Sequence, residues 1–156
     1  MIVLDASAAI ELLLDSPLGR RVGARLEAAQ ASLHAPHLLD VEVLHVARRL
    51  QAAGAIRPQR AAQLLEDLTA LPLERYPHLP LLPRAWSLRA SLTAYDAAYV
   101  ALDEALEATL LTCDAKLARA HGHAAEVALV EAGPEARRGR LRAGRASSRR
   151  GTAPGP

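Results

Sequence analysis

The sequence contains very few aromatic residues and a single cysteine, Cys113. Phenylalanine is absent, and Phe, Trp and Tyr together make up 3% of the 156 residues, so a core has to be built mainly from Leu, Ala and Val. One cysteine forms neither an internal disulfide framework nor a zinc site based on thiolates. It is typical of a protein in a reducing, cytoplasmic setting.

Long apolar segments are also missing. No apolar run approaches the roughly 18 residues that a membrane-spanning helix requires. Residues 1–7, MIVLDAS, lack the basic stretch of a signal peptide and reach a charge at Asp5. We therefore expect a cytoplasmic protein with no membrane partner. The length allows one domain with a full core, or one domain and a tail.

The net charge of +2 conceals two parts of opposite sign. Residues 1–132 carry 12 basic and 16 acidic side chains, whereas residues 133–156 carry seven arginines and only one acid, Glu135. The second part has one Leu and no aromatic residue, which is too little apolar surface to offset the entropy of ordering. We predict a folded domain over residues 1–132 and a disordered, Arg-rich tail over 133–156. Such a tail binds RNA or other polyanions non-specifically, or it is an extension without a specific role.

Short apolar runs alternate with amphipathic segments along the folded part. Strands are predicted at residues 2–4, 32–35, 73–76, 109–112 and 127–130. Helices are predicted at residues 7–14, 18–29, 37–53, 58–71, 83–92 and 115–121, with a further helix that begins near Asp96. This alternation predicts an α/β fold of three layers, α/β/α, with a small parallel sheet flanked by helices.

Acidic residues stand where the predicted strands and helices meet. Asp5 follows the first strand, Asp114 follows the strand at 109–112, and Asp96 lies at the start of the helix before that strand. Because ligands gather at the carboxyl ends of parallel strands, we expect these acids at one edge of the sheet. Each also has a structural explanation as a helix N-cap, and Thr93-x-x-Asp96 resembles a capping box.

Glu42 is harder to explain as a cap. It shares a helical face with Leu38 and Val46, so we expect a carboxylate that faces the core or a cleft. Such a group is costly to bury unless a cation or a hydrogen-bond donor meets it. Asp40, by contrast, is predicted to be solvated. Asp103 lies two helical turns after Asp96 and is predicted to be solvated or to face a dimer partner.

Several carboxylates at one edge raise one another's pKa values and stay ionised together only if a cation compensates them. Oxygen ligands without thiolates, and without a clear pair of histidines, favour Mg²⁺, with Mn²⁺ as the alternative, over zinc. Magnesium held by few carboxylates usually acts on phosphate oxygens. The expected chemistry is phosphoryl transfer or phosphodiester hydrolysis.

Four segments occur in a characteristic order: VLDASA, PHLLDVEVLHVARRL, YDAAYVALDEAL and LLTCDAKLA. Together they resemble the PIN-domain ribonucleases, specifically the VapC-type toxins of bacterial toxin–antitoxin pairs, over about residues 1–130. The resemblance implies a metal-dependent endoribonuclease with Asp5, Glu42, Asp96 and Asp114 as its acidic residues. It also implies an RNA substrate, homodimerisation and inhibition by a cognate antitoxin.

Combined with the chemistry of carboxylates, the resemblance suggests a role for each residue. Asp5, Asp96 and Asp114 would hold one or two Mg²⁺ ions, while Glu42 orients a water or completes the ligand shell. The family implies products with 5′-phosphate and 3′-hydroxyl ends.

Two hydroxyl residues accompany these acids. Ser7 and Thr112 are interpreted as donors that orient the neighbouring carboxylates. Helix capping is the alternative for Ser7, and strand propensity is the alternative for Thr112. Trp86 and Tyr99 occupy helical positions that are compatible with packing in the core or at a dimer contact.

Other classes of protein fit the motifs less well. A catalytically silent RNA-binding or regulatory module of the same fold is one alternative, although the four acids argue against it. A haloacid-dehalogenase-type phosphatase needs a second Asp two residues after the first, where this chain has Ser7. A receiver domain needs an Asp after its third strand, and here Pro77 and His78 follow that strand. The motifs leave the RNA target open.

Overall fold

In the computed structural model residues 1–133 are described, and strands alternate with helices along them. The strands are β1 (Ile2–Leu4), β2 (Leu33–Pro36), β3 (Leu73–Tyr76), β4 (Thr109–Thr112) and β5 (Glu126–Leu129). The helices are α1 (Ala6–Leu13), α2 (Pro17–Ala29), α3 (Leu38–Ala52), α4 (Pro58–Ala70), α5 (Leu82–Ser87) and α6 (Ala94–Leu106). The predicted tail lies outside the described residues, apart from Gly133.

All five strands are parallel and lie in the order β3-β2-β1-β4-β5. The order reverses between β1 and β4, which pair in register from Ile2 opposite Thr109 to Leu4 opposite Leu111. In open parallel sheets the ligand crevice lies outside the carboxyl ends of the strands at such a reversal. The topology therefore marks the ends of β1 and β4 as the place for a site.

Helices cover both faces of the sheet, and the predicted three-layer α/β/α architecture is confirmed. Helix α1 packs on α2, α3 and α4, while α6 packs on α5 and on strands β1, β2 and β4. Residues 97–103 of α6 are all buried, as expected of a helix enclosed by the core. The core consists mainly of Leu, Ala and Val, and its largest fully buried side chain is Tyr99.

Helices α1 and α2 are in close contact at Gly19. Ser16 caps α2 by accepting a hydrogen bond from the Gly19 amide at 2.8 Å, and Pro17 occupies the first turn. A Cβ atom on Gly19 would lie 1.9 Å from the Glu11 carbonyl oxygen. Only glycine fits at this crossing.

Two of the predicted helices are wrong in length or type. The helix predicted at 83–92 ends at Ser87, after a 3-10 turn at Leu79–Leu81. The helix predicted at 115–121 is only a 3-10 turn, Leu117–Arg119, in which Leu117 is the one buried residue. A single apolar anchor does not supply the buried face that a short helix needs to offset its costly nucleation. Among the described residues, no helix combines the length and apolar character needed to cross a membrane.

Candidate active site at the carboxyl ends of β1 and β4

A cavity of about 500 Å³ lies at the reversal of the strand order, and the four predicted acids all line it. Asp5 follows β1, Asp114 follows β4, Glu42 comes from α3 and Asp96 from the first turn of α6. The lining also includes one imidazole, that of His45, and no lysine or arginine. The fold thus brings together carboxylates from four separated segments in a cavity whose lining contains no lysine or arginine.

Asp5 is the most buried of the four acids, with 6% of its surface exposed. It caps α1, because its Oδ2 accepts a hydrogen bond from the Ser7 amide at 3.2 Å. The same oxygen accepts from the hydroxyl of Ser7 and from Thr112 Oγ1, the latter at 2.8 Å. Burial raises the pKa of Asp5, the three hydrogen bonds oppose this rise, and the charge of Asp96 adds to it.

Ser7 and Thr112 join the end of β1 to the segment that carries Asp114. Their hydroxyl oxygens lie 3.2 Å apart. Ser7 Oγ accepts from the Cys113 amide and Thr112 Oγ1 accepts from the Asp114 amide, each at 2.9 Å. The helix cap is Asp5, so capping does not explain Ser7. Both hydroxyls orient the Asp5 carboxylate, while Thr112 also occupies a strand position.

Glu42 and Tyr99 form a contact across the edge of the sheet that the sequence did not indicate. The Tyr99 hydroxyl donates a hydrogen bond to Glu42 Oε2 at 2.6 Å. Burial and the charge of Glu42 raise the pKa of Tyr99 far above its usual range, so the phenol stays a donor. Burial also raises the pKa of Glu42, opposed by the Tyr99 hydrogen bond and reinforced by the charges of Asp5 and Asp96. The available signal was that Tyr99 shares a helical face with Asp96, three residues earlier.

The remaining two acids are held by short local turns. Thr93 caps α6 by accepting from the Asp96 amide at 3.2 Å, and its hydroxyl donates to Asp96 Oδ2 at 2.8 Å. Thr93 is therefore the N-cap of α6, but Asp96 accepts from the Thr93 hydroxyl, whereas in a capping box it would accept from the Thr93 backbone amide. Asp114 Oδ1 accepts a hydrogen bond from the Lys116 amide at 2.7 Å. Asp114 is exposed, and Asp96 is half-buried.

The four carboxylates share one feature. Within the described residues, each of them accepts protein hydrogen bonds on a single oxygen: Asp5 Oδ2, Glu42 Oε2, Asp96 Oδ2 and Asp114 Oδ1. The second oxygen of each acid has no protein donor in this part of the chain. One half of every carboxylate is thus fixed by the protein, and the other half is available to a ligand.

The donor set fits a hard divalent cation. None of the four acids has a lysine or arginine partner within residues 1–133, so compensation of their charge falls to a cation or to protonation. No three His, Cys, Asp or Glu side chains in that range form a ready ligand set. Magnesium is usually held by one or two carboxylates together with waters and substrate phosphates. An open arrangement of this kind suits it better than it suits zinc.

The prediction for Asp103 is wrong, whereas Asp40 keeps 38% of its side chain exposed, as predicted, although it is also ion-paired. Asp103 is neither solvated nor surface-facing: it is 1% exposed, since α6 is enclosed on all sides at this point. Burial raises its pKa to about 7, opposed by a hydrogen bond from the Glu126 amide and reinforced by the charges of Glu104 and Glu126. Asp40 accepts hydrogen bonds from Arg75 Nε on both oxygens, at 3.0 and 2.8 Å.

Of the two aromatic residues predicted to pack, only Tyr99 is in the core. Trp86 is 69% exposed and carries the Arg89 guanidinium 4.9 Å above its ring. Packing in the core is therefore wrong for Trp86, and a dimer contact stays a prediction.

Comparison with known proteins identifies the family by sequence. The PIN domain family matches residues 2–122. Ribonuclease VapC12 of Mycobacterium tuberculosis is 44% identical over 130 residues, which cover 83% of this chain and 99% of that protein.

Solved structures share the fold at lower identity. PAE2754 from Pyrobaculum aerophilum has a TM-score of 0.56 and 23% identity, over 91% of this chain and 89% of its own. Mycobacterium tuberculosis VapC20, described as a toxin that cleaves the sarcin–ricin loop, has a TM-score of 0.53 and 15% identity, over 76% of this chain and 93% of its own. These likenesses support the fold, and the sequence matches show that the chain belongs to the PIN-domain family, among its VapC-type ribonucleases.

Proposed function

We propose that this chain is an endoribonuclease that requires a divalent cation, Mg²⁺ with Mn²⁺ as the alternative, and that it acts as the toxin of a toxin–antitoxin pair. The observation that carries this proposal is the convergence of four carboxylates, each with one unengaged oxygen, on one cavity at the reversal of the strand order. Its relative VapC12 is a ribonuclease. The likeness to VapC20 supports the fold, and the RNA target of this chain stays open.

In the proposed reaction Asp5, Asp96 and Asp114 would hold the cation, and Glu42 would orient the attacking water. A bound divalent cation supplies Lewis acidity at the scissile phosphate and offsets the charge of the carboxylates. The Ser7 and Thr112 hydroxyls keep the Asp5 carboxylate in place despite its burial.

Glu42 is suited to accept a proton from water. Tyr99 fixes one of its oxygens, so the other has a defined direction. The pKa of Glu42 is raised towards neutral pH, and a general base is most effective when its pKa lies near the pH of the reaction. In-line attack of this water on phosphorus then breaks the bond to the 3′ oxygen, which takes up a proton from solvent, so that the products carry a 5′-phosphate and a 3′-hydroxyl.

The test is to purify the full chain away from partners, incubate it with total RNA in Mg²⁺ or in EDTA, and sequence the cut ends. We expect discrete 5′-phosphate ends in Mg²⁺ and none in EDTA. Asp96→Asn should abolish cleavage, whereas Asp15→Asn, at an exposed position outside the cavity, should retain it. Cleavage that persists in EDTA or in Asp96→Asn protein rejects this mechanism.

A catalytically silent RNA-binding module of the same fold is the second candidate. The observation that favours it is the absence, within residues 1–133, of three side chains already arranged as metal ligands. The same experiment separates the two, because a silent module binds RNA without producing metal-dependent ends.

We also propose that the chain is a cytoplasmic homodimer inhibited by a cognate antitoxin, as the family resemblance implies. An antitoxin arginine placed among the four carboxylates would neutralise them and exclude the cation. Light scattering of the pure protein tests the dimer. A pull-down from the native host that recovers no small partner counts against the antitoxin.

A further inference from the structure

A second cavity, of about 560 Å³, adjoins the carboxylate cavity and has the opposite electrostatic character. Asp96 lines both cavities and is the one acid in the second. The other titratable groups that line the second cavity are Arg89, Lys116, Arg119 and His121. A cluster of cations therefore lies directly beside a cluster of carboxylates.

Lys116 and Arg119 are placed there by the turn that follows β4. Lys116 is the only lysine in the sequence and stands two residues after Asp114. Its backbone amide donates to the Asp114 carboxylate, which fixes the start of the turn next to the acidic cavity. Arg119 donates from Nε to the Ala115 carbonyl at 2.8 Å. Both side chains are exposed.

Arg89 reaches the same cavity from the segment between α5 and α6. Its guanidinium lies over the Trp86 ring and donates from one terminal nitrogen to the Trp86 carbonyl at 3.0 Å. This contact holds the side chain in place. It uses one of the five N–H donors of the guanidinium.

These three cations have no carboxylate partner within residues 1–133, in contrast to several other basic residues of the fold. Arg75 pairs with Asp40, for example, and Arg84 pairs with Glu104. Arg89 and Arg119 are held by backbone carbonyls, and none of the three charges is neutralised by an acid in this part of the chain, so all three are available to an external anion.

We propose that Arg89, Lys116 and Arg119 form a phosphate-binding subsite that holds the RNA backbone beside the carboxylate cavity. This subsite rests on the proposed function, since it serves the same substrate. A cavity lined by acids repels a polyanion, and cations at its rim attract the strand and set its direction. The Ser91 and Thr93 hydroxyls line the same cavity and are of the type that contacts phosphate oxygens.

The test measures binding of a labelled single-stranded RNA to the full chain in EDTA over a series of salt concentrations. The triple variant Arg89→Gln, Lys116→Gln, Arg119→Gln should bind roughly tenfold or more weakly at physiological salt. Its slope of log affinity against log salt should fall by about 2, because each phosphate contact to a single strand contributes about 0.7. The residues 133–156 are the same in all variants and cancel from the comparison.

Two matched variants separate this subsite from general charge. Arg21→Gln, Arg25→Gln, Arg57→Gln removes the same charge from exposed positions outside both cavities and should change the slope little. Arg89→Lys, Lys116→Arg, Arg119→Lys keeps the three charges and should restore the slope. A wild-type slope in the glutamine variant, an equal loss in the distal control, or no binding of RNA by the wild type overturns the subsite.

The binding result is independent of catalysis, since EDTA is present throughout. If the wild type fails to cleave in Mg²⁺ but the slope changes as expected, the nuclease proposal fails and the subsite stands. In a cleaving protein the glutamine variant should raise KM with kcat nearly unchanged, as expected for groups that position the strand.

Discussion

Two aspartates are buried in this fold, Asp5 at the carboxyl end of β1 and Asp103 in the last turns of α6. The carboxylate of Asp5 receives three hydrogen bonds, all on one oxygen, from Ser7 and Thr112. Asp103 lies in an apolar helix, and its Oδ1 has no hydrogen-bond partner within the described residues. Burial raises the pKa of both groups, and only at Asp5 do side-chain donors oppose the rise.

The difference shows two ways in which a protein tolerates a buried carboxyl group. Around Asp5, hydroxyl donors and an adjacent cavity favour the anion and leave one oxygen open to a cation. Around Asp103, where donors are few, the group avoids the cost of burial by taking up a proton. We therefore expect substitutions near Asp5 to change activity and a substitution at Asp103 to change stability.

The largest effect is expected from Asp5→Asn. Removing the charge should lower RNA cleavage by on the order of a thousandfold, as for loss of a group that stabilises the transition state. Folding should be as stable or more stable, since the amide oxygen still accepts from the hydroxyls and no charge is buried. Cleavage assays and thermal unfolding on the same preparation check both expectations. A marked fall in Tm would show that Asp5 is mainly a structural cap.

Thr112→Val removes one of the donors to Asp5 while keeping the shape of a buried side chain. We expect the Mg²⁺ concentration for half-maximal cleavage to rise about 10- to 100-fold, the usual range for a residue that orients a metal ligand. Thr109→Val, at the other end of β4 and outside the cavity, is the matched control. Equal effects of the two substitutions would assign the loss to the strand.

Tyr99→Phe removes the hydroxyl that fixes Glu42. Without this donor the pKa of Glu42 rises further, so the acid limb of the rate–pH profile should move to higher pH. We expect a loss of about tenfold at neutral pH, corresponding to one hydrogen bond to a charged group. Tyr76→Phe is the control. It removes a hydroxyl that contacts the His34 ring outside the carboxylate cavity, and it should leave the rate–pH profile unchanged. A uniform loss at every pH would contradict the role given to Tyr99.

The sequence predicted the succession of strands and helices along the chain and the four acidic residues, because these depend on local signals. A short apolar run followed by Asp5 or Asp114 indicates a strand end whatever surrounds it. The Glu42–Tyr99 contact and the burial of Asp103 depend on how α6 is enclosed, which helical periodicity does not show when both sides of a helix are apolar. The cationic cavity escaped prediction because Arg89 and Lys116 lie in turns where the sequence predicted helices, at 83–92 and 115–121.

Asp103→Asn is expected to change stability alone, and its sign depends on pH. In the unfolded chain the carboxyl ionises near its usual pKa of 3.8, whereas in the fold it ionises near 7. Between these values the unfolded state binds fewer protons, so the wild type loses stability as pH rises and stays at the lower level above 7. The asparagine variant lacks this loss and should be more stable at pH 8 by up to about 4 kcal/mol, with unchanged RNA cleavage.

Unfolding in urea at pH 5, 6, 7 and 8 measures this dependence, and Asp67→Asn provides the control. The pKa of Asp67 is lowered by hydrogen bonds from Gln63 and Arg60, so its contribution is lost only as pH falls through the acid range. If the asparagine variant at Asp103 loses stability between pH 6 and 8 as steeply as the wild type, another group titrates there. In that case Asp103 does not titrate in this range, and the contrast with Asp5 is removed.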